Sequence, residues 1–216
     1  DFPVFGASAA IKSHNMQDTT SFTSFVICNN KLYSSAILSV IFYGEALSIL
    51  ADEEFGWTPI ARKMTVTKTG EPYEVLEIDG EPAAHIYCKY LGLERDQITA
   101  ENVCEFPVFM KSGERIAPRI STSAEENGGL WFGAPLNVGD VIRFSYGNPQ
   151  EILRLSEQQA ATVAGFAPQA LFLVDCMTRI IFLGKDQEKE SSFFRHAAPA
   201  LAVIHGNSEL FHDKKG

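Results

Sequence analysis

Apolar residues in this chain fall mostly into short runs and alternations rather than long helical stripes. Met64 and Val66 alternate with Thr65 and Thr67, and Tyr73 to Ile78 repeats the alternation beyond Gly70-Glu71-Pro72. That period of two predicts two strands, each buried on one face. Phe22 to Cys28 and Leu32 to Tyr43 are β-rich runs around Asn29-Asn30, the signature of a tight hairpin. Ala36 to Leu50 (AILSVIFYGEALSIL) is the most apolar window, yet Gly44-Glu45 interrupts it and it falls short of the roughly 20 residues that span a bilayer. It reads as one or two buried strands. Phe2 to Phe5 reads as a buried strand ending at Gly6, the polar segment Lys12 to Thr20 as a loop, and Trp57-Thr58-Pro59 as a break in the chain.

The period changes after Asp79-Gly80. Pro82 suits a first helical turn, where its missing N–H costs nothing. Ala84, Tyr87, Cys88 and Leu91 share one face, His85 and Lys89 the other, and Gly92 is a natural C-terminal cap, so Ala83 to Leu91 is predicted as a helix. Gln97 to Val103 is a short turn or helix. Phe106 to Met110, Arg119 to Ser123, Gly128 to Ala134 and Val141 to Tyr146 read as strands, with a hairpin tip over Glu125 to Gly129. Asn148-Pro149 opens a long helix, Gln150 to Phe166, with Ile152, Leu153, Leu155, Ala160 and Val163 inward. Ala170 to Asp175 is a continuous apolar run expected as a central strand; Thr178 to Leu183 and Asp186 to His196 follow as short helices, and Ala200 to His205 as a last buried strand. Strands outnumber helices and several are hairpin-joined. The expected class is α+β, a mixed or largely antiparallel sheet with helices packed on it.

Composition narrows the partners. A chain of 216 residues, 45% hydrophobic, can bury one large core or two small ones. A formal charge of -9, a pI near 5.0 and no basic run longer than Lys214-Lys215 argue against nucleic acid or an anionic membrane surface. No basic stretch precedes an apolar one at the start, and no window suits membrane insertion. Cys28, Cys88, Cys104 and Cys176 lack CxxC spacing, which suits a reducing cytoplasm. The chain opens on Asp1 inside an apparent strand, as a piece of something longer would.

The blocks FPVFGASAA, GWTPIARKMTVTKTGEPYEVLEIDGEPAAHIYCKYLG, PRISTSAEENGGLWFGAPLNVGDVIRFSYGNPQ, LFLVDCMTRIIFLG and HGNSEL, in this order, resemble the FIST family, a sensory module of bacterial signal-transduction proteins also found in some eukaryotic F-box proteins. The Asp-Gly-x-Pro-Ala run and the Cys-x-x-Arg after an apolar strand are the most telling. The resemblance implies a non-enzymatic input domain that binds an amino acid or other small carboxylate. It would signal to an attached output domain, such as a diguanylate cyclase or histidine kinase, or to a partner protein. Some members are described as heme-based nitric oxide sensors. It also suggests a division into residues 1–60, the end of a FIST N-like region, and 61–216, a FIST C-like domain. Where the family's terminal block reads Gly-Glu, this chain has Ser208-Glu209.

Candidate chemistry gathers near the end of the Ala170–Asp175 run, since α/β folds place ligands beyond the C-terminal ends of strands. Arg179 there could grip a carboxylate bidentately, or could cap a carbonyl or pair with Asp175 while Cys176 fills the core. Arg119 matches the arginine the family carries before its hairpin, and with Glu209 it would line the same pocket. Ligand-binding residues are therefore expected at Arg119, Cys176, Arg179 and Glu209, with none catalytic. A nucleophilic Cys176 would need a depressed pKa and a base such as His205 in reach. His85 and Cys88 lie three apart on one helix, but two ligands do not make a metal site, and Asp79 is a turn residue. His14, His85, His196, His205 and His212 are all potential heme ligands, none in a CxxCH motif, and the sequence selects no cofactor. A ligand-free adaptor and a cysteine-dependent enzyme are the competing readings.

Overall fold

The computed structural model of the protein describes residues 2–8, 25–112 and 115–212; the Lys12–Thr20 segment, His14 and the start of the run from Phe22 lie outside them. The chain begins with β1 (Val4–Ala7), then a hairpin of β2 (Phe25–Cys28) and β3 (Lys31–Ser34). Next come β4 (Trp57–Pro59), β5 (Met64–Thr69), β6 (Glu74–Ile78) and the short β7 (Glu81–Pro82), which leads into α1 (Ala83–Leu91) and α2 (Ala100–Val103). β8 (Val108–Ser112), β9 (Arg115–Arg119), β10 (Ser121–Ala124), β11 (Leu130–Phe132) and β12 (Val141–Gly147) follow. The last third holds α3 (Pro149–Phe166), β13 (Leu171–Cys176), α4 (Met177–Leu183), α5 (Gln187–Phe194), β14 (Leu201–Gly206) and β15 (Glu209–His212).

The main body is an antiparallel sheet in the order β10-β11-β6-β5-β12-β8-β9, with β4 added on β12 and β7 on β6. The predicted alternation holds: Met64, Val66, Val75 and Ile78 point into a core roofed by α1 through Ala83, Ala84, Ile86 and Tyr87. Two local signals place that helix. Asp79 and Gly80 take φ of 52° and 80°, a turn that left-handed-tolerant residues permit, and Gly92 caps the far end at φ 68° with its N–H on the Cys88 carbonyl. Asn148 caps α3 through its side chain, with Pro149 in the first turn. The sheet and packed helices are the α+β class that the pattern predicts.

Four local expectations give way, the first being a buried strand at Phe2 to Phe5: Phe2, Val4 and Phe5 are exposed, because β1 lies in a two-stranded ribbon with β15. Ala36 to Leu50 forms neither strand nor core: β3 stops at Ser34, Ser35 takes φ 49°, and Ile37, Ile41 and Tyr43 stand 94%, 80% and 91% exposed. A strand exists only where a neighbour takes its backbone groups, and the segment's internal bond from Leu47 N–H to the Gly44 carbonyl is a turn bond. Trp57–Pro59, expected as a break, pairs with Ser145 to Gly147, and Pro59 is tolerated at a strand end that asks no N–H of it. β13 and β14 do not lie at a sheet centre. Among the described residues they pair, in parallel, only with each other, and Phe172, Val203 and Ile204 remain exposed, although their unbroken apolar runs suit strands covered on both faces.

Candidate functional site

A cavity of ≈ 1320 Å³ lies among four parts of the chain: the β9 side of the main sheet, α3, β13 with the α4 and α5 that follow it, and the β1–β15 ribbon, with residues 46–57 as a further wall. It exceeds the ~300–1,000 Å³ of ordinary small-molecule sites. Arg119, Cys176, Arg179 and Glu209, spread over 90 positions of sequence, all line it. Their roles in its walls differ.

Arg179 is built into the wall. Its Nε donates to Glu190 Oε1 at 2.5 Å, Nη2 to Ser156 Oγ at 2.8 Å, and Nη1 to the carbonyls of Glu54 and Phe55 at 3.0 Å each. Ser156 in turn donates to Glu190 Oε1 at 2.6 Å, and the Trp57 ring lies 5.9 Å from the guanidinium carbon. The guanidinium thus clamps α3, α5 and the 54–55 backbone together, and its carboxylate partner is Glu190. Asp175, the partner considered from sequence, instead sits 3.6 Å from His205 Nδ1 and accepts from Gln187 Nε2 at 3.5 Å. Glu190 escaped sequence reading because QEKESSFF has the composition of a solvated helix face; only its two closing phenylalanines hint that one side is buried.

Arg119, the last residue of β9, donates from Nε to the Pro135 carbonyl at 3.3 Å and from Nη1 to the Pro118 carbonyl at 2.9 Å. No carboxylate among the described residues lies within ion-pairing distance, and burial draws its pKa down against the pull of Asp140. Its charge, with no ion pair among the described residues, sits in the cavity wall.

Cys176 ends β13 and precedes α4. Burial, then the neighbouring Glu209 carboxyl, push its thiol up to about 11, the direction opposite to that of a nucleophile. Iodoacetamide should therefore label Cys176 more slowly than a free thiol at pH 7, with the rate climbing towards pH 11; faster labelling than the free thiol would revive the enzyme reading. Glu209 pairs with Ala7 across the ribbon, and although the residue is open on one side, burial raises the pKa of its carboxyl, which also meets the Cys176 thiol.

The other candidates lie elsewhere. His85 is exposed and within 3.5 Å of Glu81, while Cys88 faces the core, so the helix separates them. Among the described residues no set of three His, Cys, Asp or Glu side chains converges as metal ligands do, and no histidine lines the cavity. His196 borders a shallow depression with Pro168 and Pro199. Asp79 accepts from the Thr65 N–H at 2.7 Å and pairs with Arg62, which makes it a turn anchor.

With this geometry in place, the comparisons fall on both halves of the cavity wall. A model of the FIST N domain matches residues 1–81 and one of the FIST C domain matches residues 83–209. The same search of curated proteins and of solved structures returns no match.

Proposed function

The chain belongs to the FIST family, and from that premise we propose that it is a small-molecule sensory domain binding an amino acid or other small carboxylate in the ≈ 1320 Å³ cavity. One observation carries the reading: the cavity is walled by both matched regions, Phe42, Leu47 and Trp57 from the first, Arg119, Cys176 and Glu209 from the second. An occupant held by both walls would favour one relative placement of them, which is the condition for a ligand to shift a conformational equilibrium. Arg119 is the residue suited to a ligand carboxylate, because its charge has no ion-pair partner among the described residues. Arg179 holds the frame. The output would be an attached signalling domain or a partner protein in a bacterial cytoplasm. The raised Cys176 thiol supports a non-enzymatic role.

A thermal-shift screen with amino acids and small carboxylates tests this reading, since a ligand that binds only the folded state raises the melting temperature by mass action. Arg119→Ala should weaken the response about ten- to a hundredfold in concentration, the range of one charge-assisted hydrogen bond. An unchanged response in that variant would remove Arg119 from the site. The competing adaptor reading draws on the exposed Ile37, Ile41 and Tyr43, since contiguous apolar surface marks protein contacts. An adaptor would respond to no compound in the screen.

A further inference from the structure

Residues 36–43 read AILSVIFY, a β-prone run, and no charged residue falls between Lys31 and Glu45. Among the described residues none of its backbone N–H or C=O groups has a hydrogen-bond partner. The exposure of its apolar side chains alternates. Ile37, Ile41 and Tyr43 are the open ones, whereas Leu38, Val40 and Phe42 are 47%, 71% and 55% exposed, each less than the apolar residue beside it, and the Phe42 ring leans on Phe172 at 5.8 Å. That period of two is the pattern of an extended segment with one side partly resting on the protein and an apolar stripe turned outward. Folded proteins shield such edges with lysine, proline or a bulge, because an unpaired apolar edge invites another chain. From Ser35 to Gly44 there is neither lysine nor proline. The six apolar side chains together expose about 900 Å² on one copy, comparable to the ~800 Å² per partner of a standard stable interface.

We propose that this surface is covered by the same surface of a second copy of the chain, residues 37–43 of the two copies pairing antiparallel about a two-fold axis beside Val40. Chemistry and charge favour a copy over a foreign protein. A register centred on Val40 sets Ile37 opposite the partner's Tyr43 and Leu38 opposite the partner's Phe42, so each aromatic ring meets an aliphatic side chain, a pairing that stabilises antiparallel strands. The two-fold makes each of these contacts occur twice. A chain of formal charge -9 repels its own copy except across an uncharged face, and this segment supplies one, while offering no charge by which a basic or acidic partner would be selected. Phe42 also lines the cavity, so the pairing braces one of its walls. The inference concerns a surface and not the ligand, and stands or falls apart from the sensory reading.

Sedimentation equilibrium of the full chain over a range of micromolar concentrations tests the proposal, with twice 23.8 kDa as the expected mass. Ile41→Lys should weaken association about a hundredfold or more, since it sets like charges on one face of the paired strands, and its melting curve should stay cooperative because the side chain is exposed. Ile41→Lys mixed with Ile41→Glu should recover a dimer that neither variant forms alone, because the two substituted positions lie diagonally on the same face. Val40→Cys should give, on mild oxidation, a covalent dimer joined through residue 40 that the parent does not form. A parent that sediments as a monomer throughout, association of indefinite mass, or a dimer that Ile41→Lys leaves as tight as before would each overturn the proposal.

Discussion

Arg179→Ala is expected to lower the unfolding free energy by about 3–5 kcal/mol, because removing one partner of a buried ion pair strands the other. The Arg179 and Glu190 side chains are only 9% and 7% exposed, so water cannot take over the lost contacts. Four acceptors lose a donor at once: Glu190 Oε1, Ser156 Oγ and the carbonyls of Glu54 and Phe55. The last two belong to the segment that leads into β4, so the damage should spread from α3 and α5 to that wall. Adding Glu190→Gln to the variant should restore part of the loss by removing the stranded charge. Urea unfolding of the single and double variants checks both statements; a single variant within about 0.5 kcal/mol of the parent, the usual range for surface substitutions, would show that the clamp is not structural.

The second large effect belongs to Tyr87. Its ring is fully buried, 4.9 Å from that of Phe144 and 6.2 Å from that of Phe132, so Tyr87→Ala should cost about 3–5 kcal/mol. Its hydroxyl has no hydrogen-bond partner among the described residues, and burial drives its pKa well above the usual tyrosine value. Tyr87→Phe removes that unsatisfied group while keeping the packing, and should be neutral or stabilising by about 1–2 kcal/mol. Paired denaturation curves distinguish these outcomes; a Phe variant less stable than the parent would mean that the hydroxyl has a partner.

Much of the main sheet could be read from sequence because each element carries its own stop signals. Asp79-Gly80, Pro82 and Gly92 bracket α1, and Asn29-Asn30, at φ 50° and 60°, define the β2–β3 hairpin. Residues 36–50 could not be read, because apolar content states a wish for burial and not the presence of a partner, and no strand among the described residues lies alongside. The same limit applies to β13 and β14, whose apolar runs resemble a sheet interior although each has one neighbour among the described strands. At the candidate site, family resemblance drew Arg119, Cys176, Arg179 and Glu209 together across distant positions, and all four line the cavity. Periodicity alone could not have grouped them. Nor could it reveal that Arg179 is occupied by Glu190, since a glutamate in a polar helix looks the same whether it faces solvent or a buried guanidinium.

The β1–β15 ribbon brings the first and last described strands side by side, Val4 opposite His212 and Ala7 opposite Glu209. Phe5, Gly6, Glu209 and Leu210 of that ribbon also border the cavity. A polypeptide joined at either end of this chain would therefore start close to the same two-stranded ribbon. A guest molecule touching the ribbon's cavity side would thus press on the one place where both termini meet.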